Sequence, residues 1–353
     1  MKIFIYSDVH ISKTSSILPL TSSNPKYTYR QNMIIELGKY LANIIDEEKP
    51  DLIINLGDTF DQHTVSSYDI DVASEFFKCF RYINIPHLVL VGNHEMINQD
   101  FNAIELLGNI NNITVISEPC TINTNLVLCN SQEPNMELAF YPYCDYNDIL
   151  DLPKGKYLFS HLDIQGSKIR GSIVLENGIE PTSLKQYDLV FNGHIHKSST
   201  MNNIFNVGSV TTHSFSDDDD FVPQCYILDT SSLNLKKFKP TVCPLFRKLT
   251  VNSIEELNVK LDRLDKSYKY IVQCVCPYTI KDSVKQVLKN CDLVLNSRLN
   301  INTDNKDKDI QLKNEELVVR ANIDMCDAFS KFIDTTELKF PKELYQKVLK
   351  EVN

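Results

Sequence analysis

Five times along this chain a short apolar run breaks off into histidine, aspartate or asparagine. The segments are KIFIYSDVH (2–10), DLIINLGDTFD (51–61), PHLVLVGNHE (86–95), KYLFSHLD (156–163) and YDLVFNGHIH (187–196). Runs this short, rich in β-branched and aromatic residues, read as buried strands rather than helices. Between the first three lie two segments with helical apolar spacing, RQNMIIELGKYLANIIDEEKP (30–50) and SYDIDVASEFFKCFRYI (67–83). Strand and helix in strict alternation predict a parallel α/β core. Further strands are expected at ITVIS, TNLVLCN, MELAFYPY, NIFNVGSV and QCYILDTSS. With no long helices between them, they predict a second sheet packed on the first. The expected fold is α/β, a two-sheet sandwich flanked by helices.

The composition shifts near Pro240–Pro244. Beyond it, residues 245–302 alternate strand and helix as a βαβαβ unit, expected to be a small separate α/β domain. Residues 303–314 read as a solvated linker rich in Asn, Asp and Lys. Residues 315–353 read as helices with a break at Pro341, carrying apolar stripes at Met325, Phe329 and Phe332 and at Leu344, Val348 and Leu349. Such stripes pack against something, either this chain or a partner.

The net charge of −10 argues against nucleic-acid binding by bulk basicity, although bound cations and local Lys or Arg can carry such a contact. None of the ten cysteines forms a CxxC pair, which suits a reduced, cytoplasmic protein. No signal-type segment and no membrane-spanning run is expected.

In open α/β sheets, ligands bind beyond the carboxyl ends of the strands. Those ends carry Asp8 and His10, Asp58 and Asp61, Asn93, His94 and Glu95, His161 and Asp163, and His194 and His196. Five of the eight histidines fall there. Any one of them is unremarkable as a hydrogen-bonded loop residue; five such clusters at five strand ends point to a shared site. Asp, Asn and His without Cys suit Mn, Fe or Zn rather than a structural thiolate site. Seven candidate ligands among these are too many for one ion and about right for two. A pair about 3.5–4 Å apart needs a bridging carboxylate, for which Asp58 is placed.

In order, DVH, GDTFD, GNHE, SH and GHIH resemble the signature of the calcineurin-like metallophosphoesterases over residues 1 to about 240. Within that superfamily the chain is similar to the Mre11/SbcD DNA nucleases, phage recombination nucleases among them. GNHEMINQD, RGSIVLENGIEPTSLKQYDLVFNGHIH and NVGSVTTHSFSDDDDFVPQCYILDT support the likeness. The resemblance implies two Mn²⁺ ions, with Mg²⁺ a poorer substitute. Asp8, His10, Asp58 and His196 would hold one, and Asp58, Asn93, His161 and His194 the other. It implies His94 as general acid, Asp61 beside it as a catalytic or supporting residue, and Glu95 orienting His94 or a ligand histidine. It further implies 3′-to-5′ exonuclease action on duplex ends and endonuclease action on single strands. An SMC/Rad50-like ATPase partner bound by the 315–353 segment, a capping role for 245–302, and a homodimer through helices near 68–83 and 100–110 complete the expectation. Lys13, Lys26, Arg30, Lys168, Arg170 and Lys197 are candidate strand-holding cations, and Tyr27 and Tyr29 candidate stacking residues. The alternatives are a phosphoesterase acting on non-DNA esters and a metal-binding assembly subunit without turnover.

Overall fold

A computed structural model describes residues 1–12, 24–98, 101–108, 112–128, 135–144, 151–170, 173–215 and 220–302. The expected linker and helical tail, 303–353, lie outside the described residues, as do Lys13 and the side chain of Arg170.

Two six-stranded mixed sheets form the body. In the first, Lys2–Tyr6, Leu52–Asn55, His87–Leu90 and Ile113–Ile116 run parallel; Cys225–Asp229 pairs antiparallel with Lys2–Tyr6, and Asn234–Phe238 pairs antiparallel with Cys225–Asp229 at the edge. In the second, Glu137–Tyr141, Tyr157–Ser160, Leu189–Asn192 and Ile204–Asn206 run parallel, edged by the antiparallel Cys120–Asn123 and Ser199–Met201. Alternate residues of each strand face opposite ways. Ile3, Ile5, Leu52, Ile54, Leu88 and Leu90 therefore meet Leu138, Phe140, Phe159 and Phe191 between the sheets. The other faces of the first sheet's strands, Phe4, Tyr6, Ile53 and Val89, pack on helices Tyr29–Glu48 and Ser67–Lys78. Both helices begin in capping boxes, Thr28 with Gln31 and Ser66 with Asp69.

One expected strand is wrong. Thr124–Val127 is a short helical turn capped by Asn123, and the strand lies just before it at Cys120–Asn123. Asn123 accepts the Asn125 N–H with its side chain, which turns the backbone out of the ladder.

Beyond the sandwich, Leu245–Thr250, Tyr270–Pro277 and Val294–Asn302 form a three-stranded parallel sheet with its own apolar cluster under helices Ile254–Asp262 and Lys281–Asn290. On the opposite face, Phe246 and Ile271 close over Phe215 of the sandwich. Further along that face, Lys248, Gln273 and Arg298 occupy one cross-strand row. Among the described residues no cysteine is disulfide-bonded, and no helix is long and apolar enough to cross a membrane.

Candidate metal centre

The site lies at one end of the sandwich, where strands of both sheets stop. The first two loops are zipped together: Asp8 N–H donates to Gly57 O at 3.0 Å, His10 N–H to Asp58 O at 3.0 Å and Ile11 N–H to Thr59 O at 2.7 Å. The third loop is tied to the second by Glu95. Its carboxylate accepts the backbone N–H groups of Asp58 (3.1 Å), Phe60 (2.8 Å) and Gly92 (2.6 Å). Glu95 thus grips main chain, and does not orient a histidine as expected from the sequence. Burial and the Asp58 charge push its pKa up to about 7. Close approach of these loops demands glycine at Gly92, where a Cβ would sit 2.2 Å from Asp58 Oδ1.

Strain is concentrated here. Asp8, His10, Asp58 and His194 all have positive φ, between 49° and 67°. A non-glycine residue in that region costs about 1–2 kcal/mol, so the surrounding hydrogen bonds must hold four such residues in place.

The side chains converge on two carboxylates. Asp58 Oδ2 lies 3.3 Å from His161 Nε2, 3.7 Å from His10 Nε2 and 4.0 Å from His94 Nε2. Asp8 Oδ1 lies 3.6 Å from His10 Nε2 and 4.0 Å from His196 Nε2. Asn93 Oδ1 sits 3.0 Å from both His161 Nε2 and His194 Nδ1. All seven ligand-type residues expected from the sequence therefore come together, and His94 joins them.

The outward nitrogens are committed. His161 Nδ1–H donates to Leu56 O at 2.8 Å, and His194 Nε2 pairs with Asp163 Oδ1 at 2.9 Å. Asp163 thus serves His194, not the His161 beside it in sequence. His94 Nδ1–H donates to the carbonyl of Asp61 at 2.6 Å. The Asp61 carboxylate lies 3.4 Å from His10 Nδ1, on the far side of that ring from Asp8 and Asp58. Neither arrangement turns the Asp61 carboxylate toward the shared centre.

The inward-facing atoms are thereby left as lone pairs and carboxylate oxygens pointed at one another. Both Asp8 oxygens are buried without a hydrogen-bond partner. Such orphaned acceptors are costly unless a cation sits among them. Their electrostatics agree. Burial disfavours the Asp58 anion, but the charges of His161 and His10 overcome this and hold its pKa below the usual range. Burial depresses the imidazoles, yet the nearby carboxylates of Asp61 and Asp8 lift His10 to about 10, and Asp58 lifts His161 to about 9. Three ligand groups have converging atoms: Asp58, His161 and His194; His10, Asp58 and His94; and His10, His196 and His213. The donor set, oxygen and imidazole without thiolate, fits Mn, Fe or Zn.

Sequence reasoning passed over His213. It follows the Gly208-Ser209 turn after the strand Ile204–Asn206, a sixth strand end that carries a histidine too far along to read as part of that end. Burial, then the neighbouring His10 charge, hold its pKa well below the ordinary value. Arg30, expected to hold substrate, is 4% exposed and bonded to backbone carbonyls. Lys26 and Lys197 pair with Asp71 and Asp220.

The model of the calcineurin-like phosphoesterase family matches residues 1–198, more than half of the chain. The chain belongs to this family. The phosphoesterase is 24% identical over 272 residues to a protein of Escherichia phage T5 named as a probable exonuclease subunit 1, covering 73% of this chain and 74% of that one. It is also 24% identical over 229 residues to a protein of Invertebrate iridescent virus 3 named as a phosphoesterase, 078R, spanning 58% of this chain and 60% of that one. Among solved structures, an archaeal phosphodiesterase aligns at a TM-score of 0.36 and 16% identity, over 68% of this phosphoesterase and 100% of that chain.

Proposed function

We propose that this phosphoesterase is a metal-dependent DNA nuclease that works with an SMC/Rad50-like ATPase in recombination, repair and replication. The observation that carries the reading is the convergence of Asp8, His10, Asp58, Asn93, His161, His194 and His196 with His94. The likeness to the phage T5 exonuclease subunit supports DNA as substrate, since its 272 aligned residues reach beyond residue 198.

Asp8, His10, Asp58 and His196 would hold one divalent ion, and Asp58, Asn93, His161 and His194 the other, with Mn²⁺ preferred to Mg²⁺. Bound ions supply Lewis-acid stabilisation of phosphoryl oxygens, a nucleophile at neutral pH and four positive charges in an otherwise acidic chain. His94 does separate work. Its Nδ1–H is fixed by Asp61 O, which leaves Nε2 to carry a proton toward the centre for the departing sugar oxygen. Its side chain is 37% exposed, so a substrate can reach it. Asp61 supports the imidazoles of His94 and His10 rather than reacting itself.

The 245–302 unit would act as a capping domain that contacts DNA: Lys248 and Arg298 flank Gln273 on the face away from its helices. The segment 315–353 would bind the ATPase, and two copies of the chain would pair. Assay of a labelled DNA duplex beside bis-p-nitrophenyl phosphate, with Mn²⁺ or Mg²⁺, tests the reading. Degradation of DNA with Mn²⁺ supports it; hydrolysis of the small ester with DNA left intact favours a phosphoesterase on other substrates, the reading that the iridescent virus relative supports.

A further inference from the structure

Around Asp8 and His10 the chain builds a polar collar from two distant segments. Arg30 donates from Nη2 to His10 O at 2.9 Å, from Nη1 to Thr212 O at 2.9 Å and from Nε to Ser12 Oγ at 3.2 Å. Nη2 also lies 3.4 Å from His213 Nδ1. A guanidinium only donates, so Nδ1 of His213 accepts and the ring's hydrogen sits on Nε2. Nε2 faces the hydroxyls of Ser209 (3.1 Å) and Thr211 (3.2 Å). Those hydroxyls donate onward, Ser209 to Asp8 O at 2.8 Å and Thr211 to Val9 O at 3.1 Å. The collar thus takes hold of the carbonyls of Asp8, Val9 and His10, the stretch with φ of 57° at Asp8 and 49° at His10.

His213 also wedges two imidazoles. Its ring centroid is 4.4 Å from that of His10, edge-on, and 4.5 Å from that of His196. Both ring nitrogens of His213 are already engaged, Nδ1 by Arg30 and Nε2 by Ser209 and Thr211, so it buttresses those rings instead of adding a ligand. The Asn93, His161 and His194 side of the site has no share in this network; its outward bonds go to Leu56 and Asp163.

We infer that His213, held by Arg30, is a positioning residue for one half of the site, the half made by Asp8, His10 and His196. This rests on the two-ion reading above. An unsupported histidine pair loses orientation, and outer partners of this kind are worth about 10–100-fold in metal affinity.

The experiment is calorimetric titration of Mn²⁺ into the metal-free wild type, His213→Phe and His213→Gln, with the electron paramagnetic resonance spectrum recorded at saturation of the tighter site. His213→Phe keeps the ring and the packing but loses both polar ends. One of its two ions should bind about 10–100-fold more weakly, the other with wild-type affinity. The resonance signal should change from that of a coupled pair to that of an isolated ion. His213→Gln, which keeps a donor toward Ser209, should recover much of the affinity, and Arg30→Met should reproduce the selective loss. Identical isotherms for wild type and His213→Phe overturn the inference. So does equal weakening of both ions with a lowered melting temperature of the metal-free variant, which marks a packing role. A wild type that takes up no pair of ions sinks the two-ion reading, and this inference with it.

Discussion

Asp163 Oδ1 stands 2.9 Å from His194 Nε2, on the side of the ring opposite Asn93. This bond fixes the tautomer, leaving Nδ1 as the lone pair beside Asn93. Asp163→Asn can present its amide nitrogen to Nε2 and reverse that choice. The variant is expected to bind the ion on the Asn93 side about tenfold or more weakly, measured by Mn²⁺ titration. Unchanged affinity for both ions would exclude the orienting role.

His94 and Asp61 separate in kinetics. If His94 is the proton donor proposed above, His94→Gln should lower kcat about 100-fold or more while both ions still bind. Asp61→Ala leaves the carbonyl that holds His94 but empties the position near His10 Nδ1, so its larger effect should be on metal affinity. Single-turnover DNA cleavage at saturating and limiting Mn²⁺ distinguishes the two. Full activity of His94→Gln at saturating metal would refute the acid assignment.

Glu95 accepts three buried backbone N–H groups. In Glu95→Gln, one of those donors must face an amide NH₂, and an unsatisfied buried donor costs about 1–3 kcal/mol. Urea unfolding of the metal-free protein should show a loss of that order. A variant as stable as wild type would show that the loops are held by something else.

His87 lies far from the site, under Phe77 and Phe80, with Tyr6 Oη 2.9 Å from its Nε2. Burial lowers its pKa to about 3 from the ordinary 6.5. The folded state resists a proton that the unfolded chain accepts. Its stabilising contribution is therefore complete above pH 6.5 and is lost as the pH falls toward 3. Between pH 6.5 and 4 this amounts to roughly 3 kcal/mol. His87→Leu should lose that much less stability over the same interval, read from urea midpoints at each pH. Parallel pH profiles would contradict it.

Lys248 and Arg298 flank Gln273 in one row. If this row meets the phosphate backbone, Lys248→Ala and Arg298→Ala should each weaken binding of DNA of any sequence. Each should also flatten the log–log salt dependence by about one unit. Salt titrations of a fluorescent duplex give the slope; a slope equal to that of wild type removes this face from the interface.

The strands were legible because their apolar runs are short and end sharply, and the ligand-type residues because each stands at such an end. Folding adds pairings that no local pattern encodes. Asp163 reads as the companion of His161 and bonds to His194; Glu95 reads as an orienter of histidine and binds main chain. Arg30 reads as a strand-holding cation and is interior, because its helix begins beside the loops that carry His10 and Thr212, whose carbonyls it binds. Thr124–Val127 misled because Leu and Val in so short a run suit either a strand or a turn, and the Asn123 cap decided it.

The histidine and aspartate clusters are split between the two sheets: Asp8, His10, Asp58 and Asn93 follow strands of one, His161, His194 and His196 strands of the other. An ion pair there would rivet the two layers at a single rim. Chelation should therefore loosen the whole sandwich, not merely silence chemistry, and the melting temperature should climb with metal concentration as a direct gauge of how firmly the layers are pinned.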